Sequence, residues 1–181
     1  MRLQQEVSLF APGQAVSALN RIATDEDQAS FERIKRLDLV YGGATELIEF
    51  GDITVEAVMI PHSGWPSVHQ NVENLSYRVT LNDELTVVHM GDADPDQTHF
   101  LKHELYWVRR ETHAAFPPYW FFLVPSGIET LDQFVRPSIA IGTHIPADPE
   151  KRERELNQFD VFTIPGETRQ LNRGKLPLGH H

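Results

Sequence analysis

Three side chains of this sequence, His62, Asp92 and His144, have the chemistry and the context of metal ligands. Each comes shortly after an apolar run of β-forming residues, in the segments MIPHSG, HMGDAD and IGTHIP. Open α/β sheets place their ligand sites beyond the strand ends, so we expect the three side chains to face one site. Imidazole nitrogens and carboxylate oxygens suit zinc, iron or manganese, and one carboxylate can bridge two cations. A single histidine in this context more often has a structural role, whereas three such residues are less easily explained that way.

The acidic stretch around Asp92 also resembles a calcium-binding loop, but its spacing excludes an EF-hand. Asp92, Asp94 and Asp96 occupy the alternate early positions of such a loop. The sixth position carries Gln97 where the loop needs glycine, and the twelfth carries His103 where it needs a bidentate glutamate. Asp94 is instead expected to start the next helix, with Asp96 in the first turn, where negative charge suits the helix dipole.

Other residues with reactive side chains are weaker candidates. The sequence contains no glycine-rich phosphate loop and no Gly-x-Ser-x-Gly motif, so Ser63 and Ser126 are poor candidates for a nucleophile. His99 and His103 are spaced to share one face of a predicted helix, and His113 lies near it. This pair could hold a metal ion, but no glutamate-rich partner follows, so we favour a solvated helix face.

Composition and charge narrow the class of protein. A length of 181 residues suits one domain with a substantial core. The net charge of −10 argues against a nucleic-acid or anionic-membrane partner. The sequence has neither an apolar run of membrane-spanning length nor a hydrophobic signal core at its start, so we expect a cytoplasmic protein. It also contains no cysteine, so any transition-metal site must use histidine and carboxylate.

The hydrophobic pattern predicts strands that end where the candidate ligands begin. The predicted strands are Glu6–Ala11, Thr45–Phe50, Ile53–Ile60, Leu75–Leu81, Leu85–Met90, Ser138–Gly142 and Val161–Pro165. Helices are predicted over Gln14–Leu37, with a break near Asp25, and over Ile128–Val135 and Asp148–Phe159. A further helix is predicted after Asp94, where Phe100, Leu101, Leu105 and Val108 form an apolar stripe. Hairpin turns are predicted at Gly51-Asp52 and Asn82-Asp83. Hairpins followed by strand–helix alternation predict an α/β sandwich with a mixed sheet.

The segments IPHSG, HMGDAD and GTHIP, in this order and strand context, resemble the second half of the metallo-β-lactamase superfamily, particularly its metal-dependent hydrolase and lactonase-like branch. The resemblance runs from about Val7 to Gly166. It implies a four-layer αββα sandwich with mixed sheets around a dinuclear metal site. By this resemblance His62 would bind one metal ion, His144 would bind the second, and Asp92 would bridge them as the catalytic carboxylate.

The resemblance further implies a cofactor and a reaction. Zinc, manganese or iron would hold a water that attacks an ester, lactone, phosphodiester or amide in a small-molecule substrate. The family's His-x-His-x-Asp-His loop, which supplies four ligands, does not occur in this sequence. Three ligands spread over two metal positions leave each ion about two protein contacts, fewer than a catalytic zinc usually has. We therefore expect the N-terminal part of the fold to be missing or reduced.

The sequence is compatible with two alternative functions and with two kinds of partner. The chain is either a metal-dependent hydrolase or a catalytically degenerate scaffold that serves binding or oligomerisation. Without the partner layer of a sandwich, the apolar inner face of the sheet would meet water, which is unusual in soluble monomers. We therefore expect a homo-oligomer or a complementing N-terminal fragment. A single domain is expected over residues 1–178, because residues 179–181 resemble the remnant of an affinity tag.

Overall fold

The computed structural model describes residues 7–24, 31–68 and 71–170 as a mixed α/β structure. Its strands are β1 Leu9–Pro12, β2 Ile34–Leu37, β3 Glu46–Phe50, β4 Ile53–Met59, β5 Leu75–Leu81, β6 Leu85–His89, β7 Thr112–Phe116 and β8 Pro137–Ala140. Its α-helices are α1 Gly13–Ile22, α2 Gln97–Leu101, α3 Glu104–Val108, α4 Pro125–Thr130 and α5 Pro149–Leu156. None of these described helices has both the length and the apolar composition needed to cross a lipid bilayer.

Six of the strands form one mixed sheet in the order β3-β4-β5-β6-β7-β8, while β1 and β2 form a separate parallel pair. Neighbours from β3 to β6 are antiparallel, and β6, β7 and β8 are parallel. Both predicted hairpin turns are confirmed. Asn82 and Asp83 have φ values of 52° and 53°, and Gly51 has 58°, which is the left-handed backbone that tight hairpins require.

Apolar residues cover both faces of the six-stranded sheet. On one face, Val58 and Val88 pack against Phe100 of α2 within a large buried cluster. On the other face, Ala57 belongs to a second cluster that includes Leu37 of β2. Adjacent residues of a strand point to opposite faces, so β4 contributes to both clusters. The sheet therefore lies between the helices and the small β1–β2 unit. The loops that follow its strands lie at the ends of the sheet, outside both packed faces.

Two predicted elements differ in the structure, and one strand has no prediction. The helix expected to continue to Leu37 gives way to β2, which pairs in parallel with β1, because tertiary pairing overrides a weak helical pattern. The expected strand at Val161–Pro165 is reduced to one isolated bridge between Val161 and Gly142. Strand β7 is not predicted, because its alanine-rich sequence has low β-propensity. The predicted helix break near Asp25 and the residues 179–181 lie outside the described residues.

The helix after β6 starts later than predicted. Asp96, not Asp94, is its N-cap, and the Asp96 carboxylate accepts a hydrogen bond from Thr98 N at 2.8 Å. An aspartate at this position satisfies a backbone N–H that has no partner inside the helix. Asp94 is thereby free to make the loop contacts described below.

The side chains of this helical region are also distributed differently from the prediction. His99 and His103 are buried, whereas Leu101, Leu105 and Val108 are exposed. Two short helices, α2 and α3, replace the single helix that the apolar spacing assumed. His99 and His103, four residues apart, both face the interior, so the solvated-face interpretation of the two histidines is wrong. The break between α2 and α3 ends the single helix on which the predicted apolar stripe depended.

Candidate functional site

His62, Asp92 and His144 come together at one end of the six-stranded sheet. Asp92 Oδ2 lies 3.5 Å from His62 Nε2, and Asp92 Oδ1 lies 3.1 Å from His144 Nδ1. The strands β4, β6 and β8 run in the same direction, so the loops that follow them meet at the same end. The Asp92 side chain is 37% exposed, and a ligand can therefore approach it from solvent.

Backbone hydrogen bonds fix the loop of His62 against the loop of Asp92. Ser63 N donates to Asp92 O at 2.8 Å, and Asp94 N donates to Pro61 O at 2.8 Å. The Asp94 carboxylate adds a third link, because its Oδ2 accepts from Gly64 N at 3.0 Å. The two loops thus form a small paired unit beyond the strands, which sets the direction of both candidate ligands.

Asn74, at the start of β5, connects the ends of β4 and β6 to Asp92. Its Nδ2 donates to Ile60 O at 3.1 Å and to Met90 O at 3.2 Å, and its Oδ1 accepts from Asp92 N at 2.8 Å. Gly91 lies against this amide with φ +60°, and a Cβ there would be 2.2 Å from Asn74 Oδ1. Glycine is therefore required beside the aspartate. Asn74 is not among the predicted site residues, since its only sequence signal is that it is a polar residue directly before an apolar strand.

A buried histidine, His99, contacts residues of the same two loops. His99 Nδ1 is 2.7 Å from the Tyr41 hydroxyl, and its Nε2 is 3.7 Å from Asp94 Oδ1. The ring of Trp65 packs edge-to-face on His99 with centroids 5.2 Å apart. Burial lowers the pKa of His99, and the Asp94 and Asp96 carboxylates oppose that shift. This packing links the loop of Asp94 to the helix α2.

The loop of His144 is held by aromatic and backbone contacts. Thr143 N and Thr143 Oγ1 donate to Pro117 O at 2.8 and 3.0 Å. His144 has φ 56°, a left-handed conformation that few non-glycine residues adopt and that often marks functional sites. Its ring is 5.9 Å from that of Trp120, whose indole N–H donates to Ala93 O at 3.1 Å. Trp120 therefore ties the His144 loop to the Asp92 loop.

His89, the last residue of β6, is a further ionisable group near Asp92 and His144. Its Nδ1 accepts a hydrogen bond from Gly91 N at 3.0 Å. In the neutral ring the proton must then be on Nε2, which makes that atom a donor. Although the residue keeps contact with solvent, desolvation lowers the pKa of His89, the nearby His144 lowers it further, and Asp92 opposes the shift. Its place in the HMGDAD segment is the only sequence signal for it.

The donor chemistry of the three residues suits a zinc-type ion, but the described residues do not complete a ligand set. Two ligands of one tetrahedral zinc, with bonds of about 2.0 Å, lie about 3.3 Å apart, close to the two measured contacts of Asp92. Those contacts use different oxygens, each with one histidine. Within residues 7–24, 31–68 and 71–170, no group of three or more histidine and acidic side chains is arranged to hold a metal ion.

An open cavity of about 440 Å³ lies next to His144. Phe162 and Ile164 provide apolar surface on one side, and Arg152 provides a positive charge. Binding sites for small molecules commonly combine apolar walls with a few polar groups. The cavity therefore combines apolar and charged lining beside His144.

Comparison with models of protein families and with curated protein sequences finds no match. Among solved structures, the fold is similar to the isothiocyanate hydrolase from Delia radicum gut bacteria, with a TM-score of 0.50 and 12% sequence identity. The match covers 78% of this chain and 54% of that chain, so this chain spans about half of its structural neighbour. At this identity the similarity concerns the fold, and it agrees with the mixed α/β architecture.

Proposed function

We propose that this chain provides His62, Asp92 and His144 to a metal-dependent hydrolytic site within a metallo-β-lactamase-like αββα sandwich. The observation that carries the proposal is the double contact of Asp92, which meets one histidine with each carboxylate oxygen. The three residues come from three separate loops, so local sequence effects do not explain the contact. The distances from Asp92 to His62 and from Asp92 to His144 are each close to the spacing of two ligands on one cation.

Zinc, manganese or iron at this site would supply a water of lowered pKa for attack on an ester, lactone, phosphodiester or amide. Asp92 and the two histidines would hold the metal, and Asn74 would fix the direction of Asp92. The Nε2–H of His89 would donate to a substrate oxygen on which negative charge develops. The cavity beside His144 would bind the remainder of a small-molecule substrate.

The proposal requires ligands beyond those in the described residues. Each metal position would have two protein ligands, one carboxylate oxygen and one histidine. A catalytic zinc usually has about three protein ligands. On this proposal, a second copy of the chain or a complementing N-terminal fragment supplies the others. Light scattering at several protein concentrations tests this point, because zinc should favour a species larger than the monomer. A monomer at every concentration, with and without zinc, would exclude a second copy and leave the N-terminal fragment as the source of the remaining ligands.

Zinc binding measured by calorimetry and by elemental analysis after dialysis tests the role of Asp92. The variant Asp92→Asn keeps the shape of the side chain and removes its charge. We expect its affinity for zinc to fall more than about 100-fold, since even groups that only support a ligand contribute about 10- to 100-fold. The control Asp132→Asn changes an exposed aspartate elsewhere and should bind zinc like the wild type. Equal affinity in all three proteins would refute the proposal.

A second candidate function is a scaffold that binds or oligomerises without chemistry. The observation in its favour is that no three-donor group is arranged for a metal in the described part of the chain. This candidate expects weak zinc binding that Asp92→Asn does not change. It also expects the same oligomeric state with and without zinc, so the two measurements above separate the candidates.

A further inference from the structure

A second charged cluster lies inside the molecule, on the helix-covered face of the sheet. Glu56 of β4 and Arg78 of β5 are cross-strand partners, and their side chains are 1% and 0% exposed. Arg78 Nη1 is 3.6 Å from Glu56 Oε2. Arg109, directly after α3, hydrogen bonds with Glu56 Oε1 through its Nη2, and Arg110 Nε lies 3.9 Å from Oε2.

The polar groups in this cluster are poorly satisfied. No side-chain nitrogen of Arg78 has a hydrogen-bond partner among the described residues, and the same holds for Tyr106 Oη, Trp107 Nε1 and Thr112 Oγ1. The Arg78 guanidinium stacks on Tyr106, with Cζ 4.0 Å from the ring centroid. This cation–π contact offsets part of the desolvation of the charge. It gives the N–H groups no acceptor, and buried donors without acceptors are rare in folded proteins.

The charges of the cluster do not balance. Three guanidinium groups surround the single buried carboxylate of Glu56, which leaves an excess of two positive charges. Asp83 Oδ1 is 3.4 Å from Arg110 Nη1, but the Asp83 side chain is 81% exposed, so solvent screens much of its attraction. The side chains of Arg109 and Arg110 are 55% and 34% exposed, so solvent screens part of this excess charge. A second anion close by would neutralise the remainder.

A cavity of about 310 Å³ opens at this point, lined by Leu47, Glu56, Arg109 and Arg110. We infer that it binds a small oxyanion, a carboxylate or phosphate group, between Arg109 and Arg110. The planar fork of a guanidinium donates two parallel hydrogen bonds to such a group. Glu56 holds Arg109 from the buried side, and the oxyanion supplies the negative charge that the cluster lacks.

This site is separate from the group around Asp92. Glu56 precedes His62 by six residues of largely extended chain, which corresponds to about 20 Å. An oxyanion at the arginines binds the folded chain and not the unfolded one, so it also raises stability. The inference does not depend on the proposed hydrolytic function.

Calorimetry and thermal unfolding with inorganic phosphate and with acetate test the inference, at constant ionic strength set by chloride. We expect at least one oxyanion to bind and to raise the melting temperature of the wild type. Arg110→Gln should weaken that binding about tenfold, the effect of losing one charge-assisted hydrogen-bonding group. The control Arg154→Gln changes an arginine that is 69% exposed on α5 and should bind like the wild type. Circular dichroism confirms that each variant is folded.

The two oxyanions distinguish the source of the ligand group. Tighter phosphate binding indicates a phosphorylated ligand, and tighter acetate binding indicates a carboxylate ligand. Asp92→Asn should retain the binding, which separates this site from the metal proposal. The inference is overturned if neither oxyanion binds, if chloride stabilises the protein equally, or if Arg110→Gln binds as tightly as Arg154→Gln.

Discussion

The two charged groups on the six-stranded sheet are held in opposite ways. At the strand ends, Asp92 is partly exposed and is positioned by Asn74 and by the backbone of neighbouring loops. In the interior, Glu56 and Arg78 are fully covered and depend mainly on each other and on nearby arginines. Positioning by backbone and amide contacts costs little desolvation, whereas burying charge costs several kcal/mol per ion.

The contrast indicates different reasons for the presence of each group. A solvent-screened contact such as that between Asp92 and His144, whose side chains are 37% and 40% exposed, adds little to folding stability. Under the proposed function, the contact serves to hold a metal ion. The interior group has a large effect on folding, because any change leaves a buried charge without its partner. Substitutions of the charged residues in the two regions should therefore separate stability from zinc binding.

The largest effect is expected in the interior. Glu56→Ala leaves Arg78 buried without its carboxylate, and we expect a loss of about 3–5 kcal/mol in the free energy of unfolding. Urea denaturation measures it. The control Glu49→Ala removes an exposed glutamate of β3 and should change stability by less than about 0.5 kcal/mol. Similar losses in both variants would show that Arg78 reaches solvent or another partner when Glu56 is absent.

A smaller effect is expected for Asn74→Ala at the strand ends. The variant loses three hydrogen bonds around one buried amide, which should lower the free energy of unfolding by about 2–3 kcal/mol. Because Asp92 then loses its backbone anchor, zinc affinity should also fall about tenfold. The exposed Asn157 provides the control Asn157→Ala, which should change neither quantity. A loss of stability with unchanged zinc affinity would mean that Asn74 joins the strands without positioning Asp92.

The sequence predicts the hairpin half of the fold better than the rest. The strands β3 to β6 alternate apolar and polar residues, and their turns carry residues that accept a left-handed backbone, so local chemistry is sufficient. Strand β7 pairs with β6 and β8 on both sides, and this pairing makes a strand of an alanine-rich segment. Strand β2 likewise depends on β1. The strands β2 and β7 form because they pair with segments distant in the sequence. The hydrophobic periodicity of the local sequence does not predict such pairing.

The same division applies to the sites. His62, Asp92 and His144 could be predicted as one group because each follows a strand that the sequence reveals. Asn74 and Trp120 act through hydrogen bonds to distant backbone atoms, and such contacts leave no spacing pattern. Glu56 and Arg78 occupy alternate polar positions of their strands and would be expected to face water. Only the packing of α3 and its aromatic residues over that face buries them.

The smallest expected effect concerns the pH dependence of stability. His103 is buried, and its Nε2 is 3.2 Å from Met59 O. Burial lowers the pKa of His103 from the ordinary value of 6.5, and the hydrogen bond to Met59 opposes the shift. Burial likewise lowers the pKa of His99. Below 6.5 the unfolded chain takes up protons that the folded chain does not, so stability is fully present above that pH and decreases as the pH falls.

Urea denaturation at several values between about pH 7.5 and about 5.5 measures this dependence. One histidine contributes a slope of at most about 1.4 kcal/mol per pH unit. His103→Gln removes the titrating group and should flatten the curve below 6.5, while His99 preserves part of the slope. An unchanged slope in the variant would mean that His103 is protonated equally in both states. In that case the desolvation of His103 in the folded chain would be too weak to lower its pKa. The difference between buried and exposed charged groups would then not apply to this histidine.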